Sequence, residues 1–238
     1  MNAHNSRPHA EEIKERMVAH RLCRKEYLLL FTLMAFSFIP SINQLIVDRL
    51  VSGMGSSVLN IAGQIEWFDL FNETILAFMT VPMYFVFNKA KNDDDLGSRI
   101  NQTLTLGFIV YTAISVVIYL YANTLTAYMN APSESIAYLR LETIGFIIGF
   151  LSSYMYVVFV VRGRYDYIAA LLISKVVMLS IGNLVLIPSN GVTGIAMTNI
   201  GVNLILSVVS MILLHKEKLL RKWTGFRKDV LKDWARTG

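Results

Sequence analysis

The sequence has little charge and almost no cysteine. Asp, Glu, Lys and Arg make up 16% of its 238 residues, whereas globular domains of water-soluble proteins carry about 25%. A single cysteine, Cys23, excludes an internal disulfide framework and a cysteine-based zinc cluster. None of the four histidines lies inside a long apolar run, and His215 stands at the end of the last one. The sequence also lacks G-x-S-x-G, H-E-x-x-H and phosphate-loop motifs, so we do not expect an enzyme.

Long apolar runs take the place of these features. Hydrophobic residues make up 54% of the sequence, and no charged residue occurs between Tyr27 and Val47. About 20 apolar residues in a helix are enough to cross the hydrocarbon core of a bilayer. The runs predict six transmembrane helices. Their approximate ranges are 27–50, 63–88, 100–122, 138–161, 167–187 and 192–215.

These runs predict an all-α polytopic membrane protein with three parts. Residues 1–26 form a basic arm in the cytoplasm or at the membrane interface, and residues 27–215 form a six-helix transmembrane lobe. Residues 216–238 form a basic cytoplasmic linker. The lipid bilayer is therefore the first partner. We expect no nucleic-acid partner despite the net charge of +5, because the basic residues are placed as in a membrane protein.

The positions of Lys and Arg predict the orientation. If the N-terminus is cytoplasmic, the outer loops contain only Arg49 and Arg140, and almost all of the 22 basic residues fall in inner segments. Cytoplasmic loops of membrane proteins are enriched in Lys and Arg. We therefore expect a protein integral to the plasma membrane with both termini in the cytoplasm.

Four carboxylates near the first two spans are the leading functional candidates. Asp48 lies at the end of the first span, and Glu66, Asp69 and Glu73 lie in the outer half of the second. A charged residue at the centre of a membrane helix costs about 2.5–3.5 kcal/mol on insertion scales. The three acids of the second span share one helical face. They either contribute to a cation site or face a water-filled vestibule without a chemical role.

Asp48 has neighbours suited to cation binding. Gln44 lies one helical turn before it and Asn43 is close by. Neutral oxygens of this kind accompany carboxylates in sites for hard cations. Asp48 is therefore predicted to exchange one H⁺ or Na⁺ per cycle, and the alternative is an interfacial acid beside Arg49.

Other residues within the spans are candidates of two kinds. Lys175, near the middle of the fifth span, is either a counter-ion for one of the acids or a charge displaced by a bound cation. Asn199, on a polar stripe of the sixth span, either holds helices together or lines a cavity at the level of the carboxylates. Pro40 and Pro82 are predicted to kink the first two spans, as packing features or as hinges.

Four stretches, in order along the chain, resemble the N-terminal six-helix lobe of the multidrug and toxic compound extrusion (MATE) transporters. The end of that family's first helix is similar to IVDRLVSGMG, which puts Asp48 at the acid of the lobe's cation site. The fourth helix and its basic loop are similar to YLRLETIGFIIGFLSSYMYVVFVVRGRYDY. The fifth is similar to ISKVVMLSIGNLVLI, with Asn183 at a characteristic asparagine. The sixth is similar to NGVTGIAMTNIGVNLILSVVSMILL, with Thr198 at a polar position the family uses.

The resemblance implies an antiporter that exports small amphipathic or cationic organic compounds by alternating access. Coupling to H⁺ or Na⁺ would drive the transport, with no other cofactor. Na⁺ would bind among Asp48, Asn183 and Thr198. Family transporters have two lobes, so residues 216–238 would lead to a second six-helix lobe, supplied by a continuation of the chain or by a dimer partner.

Two features depart from the family pattern. Ile187 stands where many prokaryotic members have a second acid, and the second span is rich in acids where the family's is nearly uncharged. The second span is therefore expected to supply the acid that the fifth span lacks. Two alternatives remain open: a lipid-linked-substrate flippase of the same wider superfamily, and a non-transporting membrane partner or sensor.

Overall fold

The computed structural model describes residues 41–220 and 225–237, together with Tyr27, Leu30, Met34 and Phe38. At 56–60, 62, 64–66, 69 and 237 it describes the backbone only. Several predictions therefore lie outside the described residues: the basic arm 1–26, the hinge at Pro40, and the side chains of Glu66 and Asp69.

Every regular element in the described part of the chain is a helix, as the composition predicts. The helices are α1 (41–52), α2 (Ser56–Asn88), α3 (Asp93–Leu120), α4 (Ala122–Tyr128), α5 (Glu134–Val161), α6 (Tyr165–Asn190), α7 (Thr193–Lys216) and α8 (Lys228–Thr237). Five of them are long and apolar enough to cross a membrane: α3, α5, α6, α7 and the Leu70–Asn88 part of α2. The sixth predicted span, 27–50, falls largely outside the described residues.

Helix α5 is the centre of the bundle. Its most apolar window is 56% buried, compared with 28–33% in the other four candidate spans. It packs against α2, α3, α4, α6 and α7. The buried aromatic residues Phe150, Tyr154 and Phe159 form its core-facing side. The Tyr154 hydroxyl donates to the carbonyl of Ile100 at 2.6 Å, which joins α5 to α3.

Two glycines let α6 and α7 pack closely. A Cβ at Gly182 would lie 2.5 Å from Cγ2 of Thr198, and a Cβ at Gly194 would lie 2.4 Å from the backbone oxygen of Leu186. Neither distance is compatible with a larger residue in this backbone position. The contact between the two helices therefore depends on the absence of side chains at Gly182 and Gly194.

The outer surface of the bundle is apolar. The described residues of the first predicted span include six large apolar side chains that are exposed. These residues are Tyr27, Leu30, Met34, Phe38, Ile42 and Leu45. Exposed apolar side chains of this kind suit contact with lipid.

Helix α8 packs across the end of the bundle where α2 ends and α3 begins, which we call the α8 end. Val230 of α8 is 1% exposed and belongs to the main apolar core. The buried guanidinium of Arg99 in α3 lies 3.5 Å from carboxylates of Asp229 and Asp233 in α8. The segment predicted as a linker thus contains an amphipathic helix with specific contacts to the lobe.

Candidate functional site

Asn183 joins α6 to α1 and is completely buried. Its Nδ2 donates a hydrogen bond to Oδ1 of Asn43 at 2.9 Å. That bond fixes the orientation of the Asn183 amide, and its Oδ1 is buried with no hydrogen-bond partner. Since buried polar atoms are nearly always paired, this oxygen is available to a ligand that carries positive charge or donates a hydrogen bond.

Thr198 of α7 contacts Gly182, which directly precedes Asn183 in α6. Its methyl group faces Gly182, as described above, and its hydroxyl donates to the carbonyl of Gly194 at 2.8 Å. That donation uses the only hydrogen of the hydroxyl, so its oxygen can act only as an acceptor. The structure thus pairs Asn43 with Asn183, and it packs Thr198 against the adjacent residue, Gly182.

Asp48 lies on a different side of α1. Its carboxylate is exposed and accepts a hydrogen bond from Nε2 of Gln44 at 2.9 Å. Asp48 follows Asn43 by five residues, and at 100° per residue the two side chains point about 140° apart around the axis of α1. The side of α1 between them carries Val47, which is buried among apolar residues that include Ile187. The predicted cation ligands therefore form two hydrogen-bonded pairs, Gln44 with Asp48 and Asn43 with Asn183, and Thr198 contacts Gly182 next to the second pair.

A second buried polar pair joins α5 to α7. Nδ2 of Asn199 donates to Oε1 of Glu142 at 2.6 Å, and Glu142 is 2% exposed. Glu142 was not among the predicted site residues. Its sequence signal was an acid directly before the uncharged run 143–161. Asn199, which was predicted to line a cavity or hold helices together, holds α7 to α5.

Glu73 and Lys175 line the same cavity between α2, α5 and α6, with a volume of about 460 Å³. Glu73 is exposed and Lys175 is half-buried. Pockets for small organic ligands are typically about 300–1,000 Å³. Two other cavities of the described residues, of about 30 and 10 Å³, have the size of one or two water molecules.

The remaining predicted residues occupy α2. Glu66 and Asp69 lie on this helix one to two turns before Glu73. Pro82 is buried, and α2 continues through it to Asn88. Its role as a hinge stays a prediction.

These features define the class of the molecule: an integral membrane protein whose helices are joined by polar side chains in the interior and line an open cavity with charged residues. No protein-family model and no curated protein matches the sequence. Solved structures do match the fold, and they are MATE transporters and a related protein. This confirms, at the level of fold, the resemblance read from the sequence.

Three of the matching structures show how far the similarity reaches. A MATE protein with a proline-to-alanine substitution has a TM-score of 0.80 and 18% identity, covering 90% of this chain and 51% of that chain. The Vibrio cholerae MATE transporter VcmN in its bent form has a TM-score of 0.78 and 16% identity, covering 92% and 52%. A Pyrococcus furiosus transporter of the MOP superfamily, described as having a binding pocket of reverse polarity that suggests a different function, has a TM-score of 0.77 and 17% identity, covering 90% and 50%. The chain therefore has the fold of one MATE lobe and spans about half the length of the structures it matches.

Proposed function

We propose that the chain is one lobe of a cation-coupled exporter of small amphipathic or cationic organic compounds, and that it is a transporter rather than an enzyme. The observation that carries this proposal is the buried Oδ1 of Asn183, which has no hydrogen-bond partner. An unpaired buried acceptor costs about 1–3 kcal/mol. Binding of Na⁺, or of a proton carried on a neighbouring group, would offset that cost.

Asp48 supplies the negative charge that the Asn183 group lacks. Because Asp48 and Asn43 lie about 140° apart on α1, a cation held by Asp48, Asn183 and Thr198 together requires α1 to rotate or bend. Alternating access provides such a movement, with Pro40 as the bend point. The cation shifts the equilibrium only by its difference in affinity for the two states of α1.

The second half of the transporter is a second six-helix lobe, either a continuation of the chain or a partner in a homo- or heterodimer. The length ratio to the matching structures supports this arrangement. The distribution of Lys and Arg supports a plasma-membrane protein with both termini, and therefore the α8 end, in the cytoplasm.

The test is efflux of a fluorescent organic cation from cells that express the chain, alone or with its genomic downstream continuation. Imposed H⁺ and Na⁺ gradients identify the coupling ion. Asp48→Asn should abolish gradient-driven efflux, and Asn183→Leu should reduce it at least about tenfold, because removal of a charged or buried cation ligand costs more than about 1.5 kcal/mol. Asp94→Asn, at the exposed start of α3, is the matched control and should export normally.

The outcomes separate the alternatives. Equal efflux by Asp48→Asn and the unmodified chain would move the coupling site away from Asp48, with Glu73 next to test. Absence of efflux from every form of the chain under both gradients would contradict the proposal and favour a flippase or a non-transporting partner.

A lipid-linked-substrate flippase is the second candidate function. The observation that favours it is Lys175, a cationic side chain in the largest of the cavities described above. The Pyrococcus furiosus protein, with its pocket of reverse polarity, has the same fold. Gradient-driven export of the organic cation would speak against this function, because an anionic lipid headgroup and an organic cation require opposite charges in the site.

A further inference from the structure

Helix α8 carries basic residues along the side that faces away from the lobe. Lys228, Lys232 and Arg236 recur every four residues, and all three are exposed. At 100° per residue they lie within about 80° of arc, and the centre of that arc is about 180° from the side of α8 that carries Val230 and Trp234, which pack against the core. We propose that these three residues, the α8 basic row, bind the headgroups of anionic phospholipids in the surrounding bilayer. The inference does not depend on the proposed transport activity.

The docked position of α8 matches the level of the membrane surface. Arg99 is the last charged residue of α3 before the uncharged run 100–133, and it lies 3.5 Å from carboxylates of Asp229 and Asp233 in α8. Lys89, the first charged residue after the apolar end of α2, lies 2.6 Å from Asp233. The uncharged parts of α2 and α3 mark the hydrocarbon core, and the headgroup region adds about 5–7 Å on each side. Helix α8 therefore contacts the lobe at the level of the headgroups.

The start of α8 is anchored slightly deeper than this level. The backbone N–H of Arg227 donates a hydrogen bond to Oε1 of Gln102 at 2.8 Å. Gln102 lies three residues beyond Arg99 in α3, which corresponds to about 4.5 Å along the helix. Phe226, next to this anchor, is 46% exposed. An aromatic residue near the acyl chains and basic residues on the exposed side are the features of a helix that lies in a membrane interface.

The acidic residues of this segment do not neutralise the α8 basic row. Residues 216–238 contain eight Lys and Arg against three Asp and Glu. Each of the three acids forms an ion pair with another residue: Glu217 with Arg164, and Asp229 and Asp233 with Arg99. In the described part of the chain, no member of the row takes part in an ion pair. The complementary partner for the row is a negatively charged surface, and at this level the bilayer supplies one.

The position of the row allows α8 to contact the lobe and the lipid at the same time. Because the row and the packed side of α8 are on opposite sides of the helix, a headgroup can reach the row without displacing the ion pairs of Asp229 and Asp233. A bound headgroup therefore holds α8 in its docked position.

The test compares two lipids that share their acyl chains and differ in headgroup charge. Dioleoyl phosphatidylglycerol is anionic, and dioleoyl phosphatidylcholine has no net charge. Each is titrated into the purified 238-residue chain in a neutral maltoside detergent, and bound lipid is counted by native mass spectrometry. One Lys or Arg near an anionic lipid surface contributes about a fivefold gain in affinity, so we expect phosphatidylglycerol to bind at least about tenfold more tightly.

Substitutions assign the preference to the row. The triple variant Lys228→Gln, Lys232→Gln, Arg236→Gln should weaken phosphatidylglycerol at least about tenfold and leave phosphatidylcholine unchanged. The variant Lys228→Arg, Lys232→Arg keeps the charge and should keep the preference. Acrylamide quenching of Trp234, with the other two tryptophans replaced by Phe, should be the same in the triple variant as in the unmodified row. That result would show that a loss of lipid binding is not caused by undocking of α8.

A matched control removes the same number of charges from the same end of the lobe. The control variant is Lys91→Gln, Lys216→Gln, Lys218→Gln, three exposed residues outside α8. It leaves the α8 basic row intact, so it should keep most of the preference for phosphatidylglycerol.

Equal affinity of the unmodified chain for the two lipids would overturn the inference, as would an unchanged preference in the triple variant. An equal loss in the matched control would assign the preference to the charge of the whole α8 end and remove the row as the site. Displacement of phosphatidylglycerol by an equal concentration of inorganic phosphate would also overturn it, because the site would then bind a soluble anion. None of these outcomes changes the expected efflux, so the lipid site and the exporter fail separately.

Discussion

At the scale of single residues, neutral amides join helices in the interior of the lobe. Asn183 bonds to Asn43 between α6 and α1, and Asn199 bonds to Glu142 between α7 and α5. Within a membrane, polar side chains have few alternative partners, and contacts of this kind contribute about 0.6–2 kcal/mol. Each pair therefore fixes the position of one helix relative to another.

The Glu142–Asn199 pair predicts different effects of two substitutions at Glu142. Glu142→Gln keeps an acceptor for the Asn199 amide and should change the free energy of unfolding little. Glu142→Ala leaves the half-buried amide of Asn199 without this acceptor and should cost about 1 kcal/mol. Thermal unfolding in detergent measures both. Equal stability of the two variants would contradict the role given to this hydrogen bond.

The contact between Gly182 and Thr198 predicts a rescue. Gly182→Ala should destabilise the lobe, because the new methyl group would lie 2.5 Å from Cγ2 of Thr198. Thr198→Ser removes that carbon, so the double variant should recover much of the loss. The interaction free energy of the double-mutant cycle measures the recovery.

Gly201→Ala is the control for this cycle. It lies on α7 with open space around its Cβ position, so the substitution should be neutral or stabilising by up to about 1 kcal/mol. If Gly182→Ala behaved in the same way, α6 and α7 would not be packed as closely as described.

At the scale of elements, the docking of α8 depends on ion pairs with α2 and α3. Lys89 lies 2.6 Å from Asp233, and Arg227 lies 2.5 Å from Asp95. The hydrogen bond from Lys89 at the end of α2 lowers the pKa of Asp233. The pKa of Asp229 is lowered mainly by Arg227 of its own segment, and the charge of Arg99 in α3 adds to this effect when α8 is docked. The docked state therefore favours the ionised carboxylates.

This linkage predicts that α8 detaches in acid. Carboxylates whose pKa is lower in the docked state stabilise docking fully above their free pKa of about 3.9, and this stabilisation is lost as the pH falls below that value. Acrylamide quenching of half-buried Trp234, in a Trp67→Phe, Trp223→Phe background, should therefore increase below about pH 4. The double variant Asp229→Asn, Asp233→Asn should show strong quenching already at pH 7, with little further change as the pH falls. The control Asp94→Asn should show the same dependence of quenching on pH as the unmodified chain.

At the scale of the whole molecule, hydrophobic length predicted the five candidate spans of the described residues because it reflects the thickness of the bilayer. Helix ends were less predictable. Helix α3 begins at Asp93 and not near residue 100, because the side chain of Asn92 accepts a hydrogen bond from the backbone of Asp95 and caps it. Helix α6 continues through Pro188 to Asn190 and ends at Gly191, whose φ of 60° suits glycine.

The candidate site was only partly predictable for a related reason. The Gln44–Asp48 bond joins residues four apart on one helix, a spacing visible in the sequence. The Asn183–Asn43 bond spans 140 residues and the Asn199–Glu142 bond spans 57. Such pairs depend on how helices rotate against one another, which hydrophobic patterns determine only coarsely.

The orientation of the whole lobe can be tested by labelling. In a Cys23→Ser background, Lys91→Cys lies at the α8 end and Tyr128→Cys at the opposite end, both exposed. If the Lys and Arg distribution sets the topology, a membrane-impermeant maleimide should label Tyr128→Cys in right-side-out vesicles and Lys91→Cys only in inverted vesicles. The reverse pattern would contradict the proposed cytoplasmic termini.

The two ends of the lobe are held together by different forces. Ion pairs concentrate at the α8 end, where Arg99, Arg164 and Arg227 contact acidic side chains. Towards the opposite end, α6 and α7 meet through neutral groups, at Gly182 and Gly194. Dissolved salt screens charges over about 8 Å at physiological ionic strength and over shorter distances as it is concentrated, and it leaves apolar contacts intact. A rise in the ionic strength of the surrounding water would therefore loosen the lobe at the α8 end and make that end the first to open.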